Sequence, residues 1–143
     1  MNLLEQISQC KDMVIATSLN DCVTARSVST IVVDDKIYFQ TSNKMEKYRQ
    51  IAGNPRVALT KGFFQIQGNA KCIGTWSDNP KLCNKYKQLH SKSYEAYGEL
   101  DEEVVIEVSI KEIKSWQYRD DKVYIVTHNL VDNIIDEQLQ SKM

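Results

Sequence analysis

Three polar dipeptides, Asn20-Asp21, Asp34-Asp35 and Asp120-Asp121, each separate two segments with strand character. A two-residue turn of this kind joins antiparallel neighbours, whereas a parallel pair needs a crossover of a dozen or more residues. The segments are the short apolar run 13–19, the Val-, Thr- and Ser-rich run 22–33, its hairpin partner 37–41, and residues 56–61. After Gly62 come the extended stretch "FFQIQGNAKCIGTW", with Gly68 and Gly74 as bulges or bends, then the long run 102–118 and "VYIVT". Four helical patterns interrupt them. One covers 3–10, and one follows Thr41 and Ser42. One starts at Ser77 or Asp78 with Pro80 in its first turn, and the tail "NLVDNIIDEQLQ" spaces Leu130, Ile134 and Leu139 as a last helix. No regular strand-helix-strand alternation is present, which argues against a doubly wound parallel sheet. The expected architecture is mainly β with flanking helices, an antiparallel sheet curling into a small barrel, with residues 1–143 as one domain.

Composition narrows the function. Eighteen basic and nineteen acidic residues give a formal net charge of -1, so no broad basic field exists to grip nucleic acid. The start "MNLLEQISQCKDM" lacks the continuous apolar core of a secretory signal, and no apolar run approaches bilayer length. A cytoplasmic location without membrane association is the expectation. Cys10, Cys22, Cys72 and Cys83 are widely spaced, and neither His90 nor His128 lies near one of them. Reduced thiols used as small apolar side chains are expected, rather than a metal site.

The stretch "IYFQTSNKMEKYRQIAGNPRVAL" sets hydroxyls and two lysines, Lys44 and Lys47, where a short helix would begin. The first amides of a helix lack partners and its dipole makes that end partly positive, so an anion is stabilised there. Taken alone, a hydroxyl cap with solvated lysines is the better account of the pattern, because such caps are common. Arg26 adds weight to the anion. Alternation places Thr24, Arg26, Val28 and Thr30 on one face of their strand. If that face lines the interior, an unpaired guanidinium is costly, and a phosphate with forked hydrogen bonds removes the difficulty. A solvated sheet face is the plainer alternative. Counting back from the turn at Asp34-Asp35 brings Arg26 toward the Thr41–Lys44 region.

The order "ATSLNDCVTARSVSTIVVDDKIYFQTSNKMEKYRQIAGNPRVAL" resembles the pyridoxamine 5'-phosphate oxidase-like family of FMN-binding split-barrel proteins. The shared features are an Ala-Thr strand, an R-x-V strand, an F-x-T strand end, a lysine about six residues on, and N-P-x-V. The resemblance is good over about 14–76. It implies a six-stranded antiparallel split β-barrel, a homodimer, and FMN bound in grooves between the subunits. Carried over by position, Arg26 faces the phosphate or ribityl chain. Ser27 and Val28 lie along the flavin by their backbone, Thr41 and Ser42 meet the phosphate, and Lys47 is the phosphate lysine. Lys44 restores the charge that Met45-Glu46 removes where longer members have Ser-Arg, and Trp116 stands for an aromatic reaching the cofactor from the partner subunit.

No catalytic side chain follows from this pattern, because a bound flavin would itself carry hydride or electrons. That agrees with the lack of a G-x-S-x-G, H-E-x-x-H or P-loop motif. The implied protein is an FMN-dependent oxidoreductase, of flavin- or nitro-compound-reductase type, whose small-molecule substrate and electron donor the sequence leaves open. Longer members carry a basic C-terminal extension, whereas the residues here end in an acidic amphipathic run, so oxidation of pyridoxamine 5'-phosphate itself is not expected. The alternatives are a non-catalytic flavin- or haem-binding sensor, with His90 as a haem ligand, and a purely structural domain.

Overall fold

The computed structural model describes residues 2–140. Nine strands form one antiparallel sheet: β1 (Asp12–Leu19), β2 (Cys22–Ser29), β3 (Ile31–Val33), β4 (Lys36–Ser42), β5 (Arg56–Lys61), β6 (Phe64–Cys72), β7 (Glu103–Arg119), β8 (Lys122–Asn129) and β9 (Ile134–Leu139). The neighbour order is β2-β1-β5-β6-β7-β4-β3, with β8 and β9 continuing from β7. The sheet thus holds nine strands rather than six.

The three polar turns behave as the sequence implies. Asn20, Asp21, Asp34, Asp120 and Asp121 all take positive φ, which Asn and Asp tolerate best among residues with a side chain. The run 22–33 is not one strand. It breaks at Thr30, whose N–H donates to the Lys11 carbonyl. Its first part pairs with β1, through Arg26 opposite Ile15, and its second with β4, through Ile31 opposite Tyr38. The two ends of the seven-strand path are therefore consecutive in the chain. The ladder does not close on itself by hydrogen bonds, and its edges are tied covalently through Thr30.

The tail is a strand and not a helix. Asn129 accepts from the N–H groups of Val131 and Asp132, and Asn133 sits at φ 54, so residues 129–134 turn back. β9 then adds to the open edge of β8, with Asn129 opposite Ile134. Ile134, Ile135 and Leu139 stay exposed, so the helical spacing did not report a buried helical face. Arg119 and Glu137 form an ion pair across this hairpin.

Four helical segments and one π-helical turn decorate the sheet: α1 (Leu3–Ile7), α2 (Glu46–Gly53), α3 (Pro80–Leu89), α4 (Ser91–Ser93) and the turn Tyr94–Gly98. α1 is shorter than the expected 3–10. α3 is capped at Asn79 rather than Ser77 or Asp78, because Asp78 is engaged with the N–H and hydroxyl of Thr75. Gly74 turns the chain at φ 97, and Gly68 accompanies a register shift between β6 and β7.

Ile15, Ile37, Phe39, Leu59, Ile66, Ile106, Val108 and Ile113 form the main core, on the inner face of the sheet. A smaller cluster, built on Ile31, Tyr38, Trp76, Tyr86 and Val105, fastens α3 to the outside of β3, β4 and β7. There the Trp76 and Tyr86 rings stack at 4.6 Å, and the Trp76 indole N–H donates to Gln40 at 2.9 Å. Both faces of β4 are therefore covered, which fixes where its C-terminal end, Thr41-Ser42, is delivered.

Candidate functional site

The inward face of β2 carries Thr24, Arg26 and Val28, as alternation requires, with its other residues largely exposed. Val28 joins the core while Ser27 points out opposite Val14. Arg26 is half-buried. One of its guanidinium nitrogens donates to Thr17 Oγ1 at 2.7 Å and the other to Thr24 Oγ1. Both hydroxyls donate onward to Gln50 Oε1 on α2, at 2.5 and 2.7 Å, and Gln50 Nε2 donates to the Cys22 carbonyl at 3.2 Å. The network fixes the guanidinium in place without neutralising it. No carboxylate forms an ion pair with Arg26 among the described residues.

Lys47 lies in the first turn of α2 and stands close enough to Arg26 to feel its charge. Burial, and then the Arg26 charge, hold the Lys47 ammonium below its ordinary pKa, with Glu103 acting weakly in the opposite sense. Burial lowers Arg26 too, partly offset by Glu46. Glu103 is buried opposite Ser42, and that burial raises its pKa despite Lys47. Glu103 is thus a poor counter-ion: its own burial disfavours the charged form. Two cations within electrostatic reach of each other share a partly desolvated place, and among the described residues neither has an ion-pairing carboxylate.

Thr41 and Ser42 are buried at the end of β4 and do not cap α2. The helix starts later, with Met45 in the cap position and no side-chain cap bond. The Thr41 hydroxyl meets the Ser42 carbonyl at 3.3 Å, and the Ser42 hydroxyl accepts from the Lys44 N–H at 3.1 Å. Lys44 itself is exposed and ion-paired with Glu102 at 3.2 Å. Glu46 pairs with Arg49 at 3.8 Å along the helix surface. Lys47 is thus within electrostatic reach of Arg26 and of Glu103, the residue opposite Ser42, while Lys44 stays at the rim with Glu102.

Trp116 is far along β7, half-buried, with its backbone N–H donating to the Phe63 carbonyl. It lines an apolar groove on the outside of the sheet together with Val14, Ala25, Ala58 and Phe63. His90 is engaged: Nε2 lies 2.8 Å from the Thr30 carbonyl and the ring packs on Tyr86. Sequence reading missed Thr17, Gln50 and Glu103. Thr17 shares the inward face of β1 with Ile15, so a signal for it existed. Gln50 carried none. All four cysteines are free thiols.

No curated protein sequence matches the chain at a significant level. Solved structures do. General Stress Protein 26 from Bacillus anthracis superposes with TM-score 0.65 at 22% identity, covering 79% of this chain and 92% of its own. A pyridoxamine 5'-phosphate oxidase-related, FMN-binding protein from Nostoc punctiforme gives TM-score 0.65 at 11% identity, covering 96% and 91%. HutZ, a haem storage protein from Vibrio cholerae, gives 0.64 at 12%, covering 77% and 91%. At these identities the likeness concerns the fold alone. The sequence itself matches the pyridoxamine 5'-phosphate oxidase profile over residues 2–117. With most of its length inside that match, the chain belongs to the pyridoxamine 5'-phosphate oxidase family.

Proposed function

We propose that this protein binds FMN and works as a flavin-dependent oxidoreductase, as a homodimer. The observation that carries the reading is the Arg26–Lys47 pair. Two like charges in a half-buried position, one fixed by a neutral hydroxyl and amide network, are disfavoured unless an anion sits between them. A phosphate suits the forked guanidinium and the point charge of the ammonium together. Arg26 and Lys47 hold the phosphate, and the Thr41-Ser42 end of β4 borders it. β2 has a hydrogen-bonded neighbour on one side only, so backbone groups near Ser27 and Val28 on its open edge are available to a ligand. Lys44, matched by Glu102, contributes charge from the rim. When bound, the flavin supplies the hydride or electron transfer. The protein's own part is to grip, orient and shield, and no side-chain acid or base is assigned. The relatives include an FMN-binding protein and a haem storage protein. The pair of like charges favours a phosphate-bearing flavin, and His90 is already committed to Thr30 and Tyr86.

The visible spectrum of the purified protein, with mass spectrometry of the molecule released on denaturation, tests this. Oxidised flavin with the mass of FMN is expected. A haem spectrum, or a colourless protein that takes up no FMN at micromolar concentration, overturns it. The FMN-loaded protein is expected to produce no pyridoxal 5'-phosphate from pyridoxamine 5'-phosphate, since the β8–β9 hairpin that follows β7 carries one lysine, Lys122, and no arginine to hold a substrate phosphate. Product formation coupled to oxygen consumption would contradict this.

The apolar residues Ile106, Val108 and Ile110 of β7 offer nothing to a dimer, because they are absorbed by the core of one chain. Met45 and Phe63 remain more than half exposed beside the proposed flavin region and the Trp116 groove respectively. A second chain covering them would also supply the other wall of an external flavin groove, with Trp116 reaching in from the partner. Light scattering should give twice the chain mass. A monomer that binds FMN one to one removes the shared wall and the role of Trp116 with it.

A further inference from the structure

Glu103 and Glu107 share one face of β7, with Val105 of the smaller cluster between them. They are buried alike, at 7% and 8% exposed. Their partners differ. Glu107 accepts from the Tyr38 hydroxyl at 3.1 Å and pairs with Lys36 at 3.4 Å and Lys71 at 3.7 Å. The Glu103 carboxyl group has no hydrogen bond and no ion pair among the described residues. Its backbone N–H is engaged, donating to the Leu100 carbonyl at 3.0 Å. A carboxylate desolvated without a partner is costly, so this one is protonated, matched by a ligand, or both.

The groups around Glu103 decide what that ligand brings. On β4 it stands opposite Ser42, whose hydroxyl is turned to the Lys44 N–H. From α2, Lys47 favours its ionised form, and Glu102 beside it on the chain disfavours it. Glu102 is itself paired with Lys44. From α3, Tyr86 is within electrostatic reach, but its phenol is pushed up to about 12, chiefly by burial, and stays neutral. The attraction felt by Glu103 is therefore that of Lys47, the same ammonium assigned to the flavin phosphate. A phosphate at Lys47 cancels that attraction and adds a repulsion. Burial already acts in this direction, holding the Glu103 carboxyl above the ordinary glutamate pKa. Two anions that only accept cannot hydrogen-bond each other. A protonated carboxyl group carries an O–H, and a phosphate oxygen accepts it in a charge-assisted bond.

We propose that Glu103 is a neutral hydrogen-bond donor to the phosphate monoester of the ligand, so that the ligand is bound together with one proton. The inference rests on the flavin reading for the phosphate position and deepens it: Arg26 and Lys47 give the site its charge, and Glu103 makes its loading depend on pH. The proton comes from solvent and stays on the Glu103 carboxyl group, and no bond of the ligand is made or broken. Loading is favoured as pH falls through the neutral range, until the second ionisation of the phosphate itself, at about 6, acts against it.

Calorimetric titration of the flavin-free protein with FMN, in pairs of buffers that differ in ionisation enthalpy, counts the protons taken up. Lys47 also gains a proton on loading, so the share of Glu103 is the difference between the wild type and Glu103→Gln, whose amide donates but does not titrate. The wild type should take up more protons than the variant, and its FMN affinity should fall with rising pH by up to about tenfold per unit for one linked proton. Glu103→Gln should bind FMN well and lose that part of the slope. Glu103→Ala, with no donor, should lose about tenfold or more in FMN affinity. Riboflavin binding should be alike in all three. Equal proton uptake in the wild type and Glu103→Gln overturns the proposal. The same Glu103-dependent slope with riboflavin also overturns it, because the carboxyl group would then meet the ribityl chain. Inorganic phosphate, followed through the Ser42 amide by NMR, is titrated alongside. If the protein takes up no FMN but binds phosphate with a Glu103-dependent slope, the flavin reading falls and the donor role stands. No such slope with either ligand removes the donor role.

Discussion

Arg26→Ala and Lys47→Ala should each weaken FMN binding by about tenfold to a hundredfold, or about 1.5 to 3 kcal/mol for one charge-assisted contact, and barely affect riboflavin. The contrast is the point of the experiment. Riboflavin lacks the phosphate, so a loss confined to FMN locates both side chains at that group. Equal losses for the two ligands would place them elsewhere. Lys47 offers a second readout. Its ammonium is disfavoured in the flavin-free fold by burial and by Arg26. The unfolded chain, with an ordinary lysine, binds the proton more readily. Stability of the flavin-free protein should therefore rise with pH between the lowered folded pKa and the ordinary value. Lys47→Met should flatten that rise and raise the melting temperature of the flavin-free protein even as it loses FMN. A residue that destabilises the empty fold and stabilises the loaded one is behaving as a binding residue. A merely solvated surface lysine would change neither.

Phe39→Ala should lower folding stability by about 3 to 5 kcal/mol, the usual cost of emptying a fully buried aromatic site. Phe39 has no exposed surface and sits in the main core on β4, opposite Ile106 of β7. β4 is covered on its other face by Tyr38 against Trp76 and Tyr86, so the cavity cannot be filled by shifting the strand outward. Phe39→Leu, which keeps most of the volume, should cost far less. Denaturant unfolding of both variants measures the difference, and a near-wild-type midpoint for Phe39→Ala would mean the core around β4 is loosely packed.

The antiparallel plan was legible because its turns are written in residues that accept positive φ. Asn20-Asp21, Asp34-Asp35 and Asp120-Asp121 all turned as expected. The Arg26 face was legible for a similar reason, since period-two alternation is a property of the strand itself. What was not legible depended on partners distant in sequence. Nothing in the run 22–33 announces that it changes neighbours at Thr30, because both halves have equal strand character. The tail has apolar residues at helical spacing, yet the open edge of β8 and the Asn129 turn decide its form. Thr41 and Ser42 looked like helix caps, but the pairing of β4 with β7 carries the strand through Ser42. The guanidinium network could not be completed from sequence either, since Gln50 enters it from a helix twenty-four residues after Arg26.

The change of partners at Thr30 has a mechanical meaning for the charged cluster. Arg26 belongs to the rungs shared with β1, and Ser42 to the rungs shared with β7. Between these two neighbourhoods runs a seam with no backbone rungs, crossed by the covalent chain at Thr30. Along a seam the walls separate at lower energy, because no ladder of backbone hydrogen bonds has to break. A phosphate gripped from both sides would act as a rivet at the point where the sheet yields most easily. Amide exchange in β2 should then slow more on loading with FMN than exchange in β6, which has a hydrogen-bonded neighbour on both sides.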